Sequence, residues 1–175
     1  TGPLPADCLG IQRSTDIDIE GRQIMRELSQ EVRNAIQGAI QLEINGRRFY
    51  THAAEVTDSD LAEKMFRQLA REESHHIEAF GKLFTEVLGD KEWKKHVREE
   101  EGPGGEELID RLEAMRTKDR SEGELEAVRI GMELERNAMA YFEGAARVAG
   151  DSDARQIFEK IEREEKLHYD LLQTQ

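Results

Sequence analysis

An all-α four-helix bundle is the fold class this sequence predicts, and three observations predict it. Two stretches, about 29–88 and 121–173, carry apolar residues at three- and four-residue spacing. Alternating Val, Ile and Thr runs bounded by turn residues, the pattern of strands, are missing. The second stretch also repeats the first at a constant offset of 92 residues, so each reads as one copy of a helix pair. A length of 175 residues suits one domain, and 36% charged residues with only three prolines suits long helices.

The elements follow in order. Residues 1–19 hold Gly2, Pro3, Pro5 and Gly10 and show no periodicity, so they read as an extended arm ahead of a bundle at 20–175. Helical patterning builds from about Glu20 and is firm after Ser29, a candidate N-cap. Val32, Ile36, Ala39, Glu43, Gly46, Tyr50 and Ala53 form its inward stripe, and the helix ends near Val56. Thr57-Asp58-Ser59-Asp60 can cap the next helix, Asp60 to Leu88. That helix presents Ala62, Phe66, Leu69, Glu73, His76, Phe80, Leu83 and Val87 on one face, and Gly89 closes it. In the connection that follows, Trp93 reads as a packing residue and Lys91, Lys94 and Lys95 as a solvated face. Gly102-Pro103-Gly104-Gly105 is a breaker, and a short amphipathic helix is expected from Glu106 to Thr117. Ser121 and Glu124 form a capping-box pattern that opens the third long helix, to about Ala149. Gly150-Asp151-Ser152 turns the chain into the last helix, to about Leu172. Short, long and short connections describe a bundle with one crossover, between helices two and three.

Composition excludes several functions. A net charge of −13 argues against nucleic-acid binding, which needs clustered Lys and Arg, and favours attraction of cations. Cys8 is the only cysteine, so a disulfide framework, a zinc knuckle and an iron–sulfur cluster are excluded within one chain. No apolar run approaches the ~20 residues of a membrane span, and no secretory leader is read, so a cytoplasmic location is the default expectation.

The repeat selects the chemistry. Leu42-Glu43-Ile44-Asn45 falls on Leu134-Glu135-Arg136-Asn137, and Arg71 to His76 falls on Arg163 to His168. Between residues 41 and 80, twelve of forty positions match their partners without a gap, which chance helical similarity would rarely sustain across a turn. Glu-x-x-His places both side chains on one helix face about 5–6 Å apart. The second helix offers two such pairs, Glu72 with His75 and Glu73 with His76. Only the latter has a counterpart, Glu165 with His168, because Leu167 replaces the other histidine. Glu73 and His76 share the phase of the apolar stripe, whereas Glu72 and His75 read as surface residues. Glu43 and Glu135 sit at matching inward places on the other two helices.

One inward glutamate alone is usually a boundary residue whose head reaches water. Four together repel and cost several kcal/mol each in desolvation unless they are neutralised. Two divalent cations neutralise four carboxylates, and two neutral imidazoles complete a ligand set. This arrangement is described for di-iron and di-manganese carboxylate bundles.

On these residues the chain resembles the rubrerythrin-like branch of the ferritin-like superfamily, over roughly residues 30–88 and 121–173. The resemblance implies that Glu43, Glu73, His76, Glu135, Glu165 and His168 ligate two iron ions, with Glu73 and Glu165 bridging. Tyr50 matches a site-facing aromatic of such proteins and reads equally as a core aromatic. Two departures stand out. The four-cysteine electron-delivery domain of full-length rubrerythrins is not found in this chain. The extra glutamate three residues after the third-helix ligand is replaced by Ala138, whose repeat mate is Gly46.

The function expected on this basis is a di-iron oxidoreductase reacting with O2 or hydrogen peroxide. Its electrons come from a separate donor protein or from Fe(II), and its expected assembly is a homodimer. Ferroxidase action in iron handling or storage is the alternative. A metal-free helical interaction module leaves the duplicated carboxylates unexplained. Manganese shares these ligands with iron.

Overall fold

The computed structural model describes residues 13–89, 91, 93–96, 107, 110, 111, 113, 114, 120–150 and 152–174, with backbone alone at 13–29 and at a few helix ends. Four long helices make an all-α bundle: α1 Arg13–Val56, α2 Asp60–Leu88, α3 Arg120–Val148 and α4 Ser152–Gln173. A short 3-10 turn, Trp93–His96, follows α2. Helix α1 packs chiefly on α2 and α3 chiefly on α4, which are the two repeat units, and α1–α3 and α2–α4 contacts join the pairs.

Direction explains the long crossover. Tyr50 reaches Gly131 and Tyr141 reaches Ala35, so α1 and α3 run antiparallel. The short turns make each helix pair antiparallel as well, which leaves α2 and α3 parallel. A chain leaving the end of α2 must therefore travel the length of the bundle before α3 begins, which is why this connection is long. The part of this segment that is described is tied to both helices of one seam. Glu113 Oε1 lies 2.7 Å from His52 Nε2 on α1, and Arg111 lies 3.3 Å from Glu133 on α3.

Local signals set the helix ends. Ser59 is the N-cap of α2 and its side chain accepts from the Ala62 N–H, while Asp60 and Glu63 place negative charge in the first turn. Gly89 ends α2 at φ 67°, in the left-handed region that favours glycine, and its N–H donates to the Thr85 carbonyl. Trp93 packs on the core, as expected. It lies where a Cβ on Gly81 would come within 2.3 Å of the indole, so glycine at 81 makes room for it.

Two helix starts differ from the sequence expectation. Helix α1 starts at Arg13, ahead of the start near Glu20, and runs through Ser29 without a break, so Ser29 is not a cap. Pro3, Pro5 and Gly10 precede Arg13, and a weak apolar pattern does not prevent a helix where no strong breaker stands. Helix α3 starts at Arg120, which puts Ser121 inside it rather than at its cap. Propensity alone fixes such ends only to a residue or two. Helical backbone at Glu107, Asp110, Arg111, Glu113 and Ala114 falls within the expected crossover helix. Cys8, the rest of 1–12 and the Gly102–Gly105 breaker lie outside the described residues.

The interior is two apolar layers with a polar layer between them. One apolar layer gathers Ile36, Ile40, Phe80, Phe84, Phe142 and Phe158. The other gathers Phe49, Tyr50, Phe66, Leu69, Ile130 and Leu172. Glu43, Glu73 and Glu135 occupy the helix turns between them. Both layers are fully packed with aromatic rings, which keeps bulk water from the charged centre at either end.

Candidate metal centre

Each helix contributes to the middle layer. Glu43 comes from α1, Glu73 and His76 from adjacent turns of α2, Glu135 from α3, and Glu165 and His168 from α4. None of the six is more than 8% exposed, which is rare for carboxylates in the absence of a counter-charge. They form two overlapping groups. One potential ligand atom each from Glu43, Glu73, His76 and Glu165 lies within 4.8 Å of the others, and the same holds for Glu73, Glu135, Glu165 and His168. Glu73 and Glu165 belong to both groups, a position that suits groups shared between two cations.

Both imidazoles aim Nδ1 at the centre. His76 Nδ1 is 2.8 Å from Glu165 and 3.3 Å from Glu43. His168 Nδ1 is 3.1 Å from Glu165 and 3.8 Å from both Glu73 and Glu135. The two rings stack with centroids 5.6 Å apart. On its other side, His76 Nε2 lies 3.1 Å from the half-exposed Glu164 carboxylate. A carboxylate on the distal nitrogen fixes ring orientation and tautomer. His75 is on the surface, 68% exposed and paired with Glu72 at 3.5 Å, away from the centre.

Tyr50 occupies both of its expected settings. Its ring stacks on Phe66 and meets Phe49 edge-on, and its hydroxyl donates to Glu135 Oε1. Burial, then the negative charge of Glu135, holds the Tyr50 hydroxyl well above its ordinary pKa. It therefore stays a donor.

Electrostatics sets the charge balance of this layer. Burial, followed by the neighbouring carboxylates, pushes Glu73 and Glu135 well above the ordinary carboxylate range. Burial is likewise the largest influence on Glu43, and its pKa is also raised well above the usual value. Glu165 goes the other way: burial opposes its charge, but hydrogen bonds from His168 and His76 outweigh burial and hold it far below the usual range. His76 is raised because the Glu165 hydrogen bond and charge outweigh its own desolvation. Glu43 Oε1 is buried without a hydrogen-bond partner. A buried unpartnered carboxylate oxygen, four clustered carboxyls and two inward imidazole nitrogens fit a pair of divalent cations, whose four positive charges match the four carboxylates.

Sequence reasoning missed two features here. Glu164 is the repeat mate of Glu72, and that equivalence pointed to the surface; only the packing of α4 on α2 brings it to His76. The other feature is a cavity beside the carboxylates, lined in part by Gly46 and Ala138. The missing glutamate at 138 signals it, but its walls come from three separated segments.

Fold and site together define a ferritin-like four-helix bundle with a buried carboxylate–histidine centre of the kind that fits a di-iron protein. The sequence model of the Rubrerythrin family matches residues 34–175, and the chain belongs to that family. No curated protein and no solved structure matches the chain. Among the described residues, no helix is long and apolar enough to cross a membrane.

Proposed function

We propose that this protein is a non-haem di-iron oxidoreductase that reduces O2 or hydrogen peroxide, with Glu43, Glu73, His76, Glu135, Glu165 and His168 as the metal ligands. The observation that carries the reading is the pair of four-residue groups sharing Glu73 and Glu165. Glu43 and His76 would hold one ion, Glu135 and His168 the other, and Glu73 and Glu165 both. Carboxylate oxygen and imidazole nitrogen suit iron in both of its common oxidation states, and manganese shares the preference. A bound pair of iron ions supplies two electrons, one from each Fe(II).

The chain's own residues do the rest. Glu164 orients His76 through Nε2. Tyr50 holds Glu135 through its hydroxyl and, with a raised pKa, keeps its proton at that atom. The aromatic layers exclude water above and below. Within these 175 residues the single cysteine cannot form a thiolate iron site, so electrons for repeated turnover come from a donor outside them or from fresh Fe(II). A homodimer is the assembly we expect.

A second reading, ferroxidase action in iron handling, is favoured by the net charge of −13 and by Ala138 at the place of the family's extra glutamate. The test is anaerobic titration with Fe(II), then stopped-flow oxidation by O2 and by peroxide. Two ions per chain and faster oxidation by peroxide support the oxidoreductase. Two ions, oxidation by O2 and release of Fe(III) support iron handling. A stoichiometry near zero refutes both.

A further inference from the structure

The carboxylate layer is sealed on one side and open on the other. Toward α2 and α4, the stacked imidazoles of His76 and His168 close it, and Glu164 lies across His76. Toward α1 and α3, a cavity of about 250 Å³ reaches the carboxylates. Glu43, Glu73 and Glu135 form its floor. Its walls are repeat mates, Asn45 with Asn137 and Gly46 with Ala138, so it lies on the pseudo-twofold axis relating the two helix pairs. Glu107, Arg111 and Glu133 stand at its mouth.

We propose that this cavity is the port through which divalent metal ions reach the ligands, an inference that rests on the metal centre proposed above. Size is the first argument. The space far exceeds the about 10–15 Å³ that one water needs, so an ion can pass with part of its hydration shell. It exists because positions 46 and 138 carry almost no side chain. A Cβ on Gly46 would stand 3.2 Å from the Glu73 carboxyl carbon, and any longer side chain at 138 would grow into the cavity.

Chemistry is the second argument. Carboxylate and amide oxygens line the route from mouth to floor, and these are the donors that a partly dehydrated divalent cation exchanges for water. Asn45, which accepts from Gln41, and Asn137 are identical in the two repeats and place amide groups in the lining. Charge is the third. Arg111 is the one cation in the lining among the described residues, and it is held 3.3 Å from Glu133 and 3.9 Å from Glu126. Glu107 and Glu133 leave the mouth attractive to cations, while Arg111 moderates that attraction.

The experiment is stopped-flow uptake of Co(II), followed by its visible absorption, in wild type and two variants of the full chain. Ala138→Leu plugs the cavity without replacing a ligand. It should slow uptake by about tenfold or more, since ions then pass only through rare opening of a close-packed interior, while the final Co(II) stoichiometry is unchanged. Arg111→Gln removes the opposing charge at a half-exposed position that the fold tolerates. It should speed uptake about threefold at low salt, with the gain lost at high salt. If Ala138→Leu does not fold, Arg111→Gln decides. Uptake at the wild-type rate in every folded variant overturns the port alone. A wild-type chain that takes up no Co(II) overturns the metal centre and the port with it.

Discussion

Replacing Glu73 with leucine should stabilise the metal-free protein and abolish most of the stabilisation that metal gives. Glu73 is 3% exposed, and its carboxyl is pushed well above the ordinary range by burial and by the charges of Glu43 and Glu165. Its distances to His76 Nδ1 and His168 Nδ1 are 3.9 and 3.8 Å, too long for hydrogen bonds, so little is lost there. Even a full hydrogen bond to the neighbouring Glu43 carboxyl would add only about 1 kcal/mol to the loss. Burying the carboxyl costs about 1–3 kcal/mol, and leucine removes that cost. Gly46 offers no Cβ against the branched side chain.

The net gain is about 1 kcal/mol, or roughly 2–4 °C in Tm for a chain of this size. Metal at a hundred times its Kd should stabilise wild type by about 2.7 kcal/mol and the variant by far less. The two proteins should therefore exchange rank: the variant melts higher without Fe(II), and wild type melts higher with it. Thermal melts of both, with and without anaerobic Fe(II), provide the assay. A solvated surface glutamate would shift stability by no more than about 0.5 kcal/mol and leave the metal response alone. Equal metal-induced shifts in both proteins would refute the assignment of Glu73 as a ligand.

The remaining predictions concern the histidines, their support and pH. His76→Ala should halve or abolish metal binding by equilibrium dialysis, whereas His75→Ala should leave it intact; equal losses would mean that the wrong Glu-x-x-His register holds the metal. Glu164→Gln should weaken metal binding at the His76 end of the centre about 10–100-fold in competition with a chelator, with the fold unchanged by circular dichroism. Unchanged affinity would show that Glu164 is only a neighbour. Glu43, Glu73 and Glu135 have raised pKa values in the folded state, so the metal-free protein should lose stability as pH rises from the ordinary carboxylate value through the raised ones. Glu165, lowered, contributes the opposite dependence, lost as pH falls through strongly acid values. Metal needs the deprotonated carboxylates, so the metal-induced rise in Tm should grow as pH rises from the ordinary carboxylate range through the raised values. Melts across that range check it, and a flat metal response would count against carboxylate ligation.

By itself the sequence determined the helices and the six inward groups. Spacing of three and four residues reports a helix face directly, and a repeat offset of 92 residues carries that face from one helix pair to the other. It also separated Glu73 and His76 from Glu72 and His75, since helix phase is a local property of α2. Where local signals were faint, the sequence reading erred: α1 begins at Arg13 and passes through Ser29, because a capping residue permits a helix start without forcing one. Only the tertiary structure decided what faces what across helices. The 3.1 Å approach of Glu164 to His76 depends on how α4 lies against α2. The donation from Tyr50 to Glu135 depends on the seam between α1 and α3. The cavity over the carboxylates requires Gly46, Ala138 and Arg111, residues from three segments that no spacing rule relates. Periodicity gives the direction in which a side chain leaves its own helix; the partner it meets is set by the distances and directions of the helices packed around it.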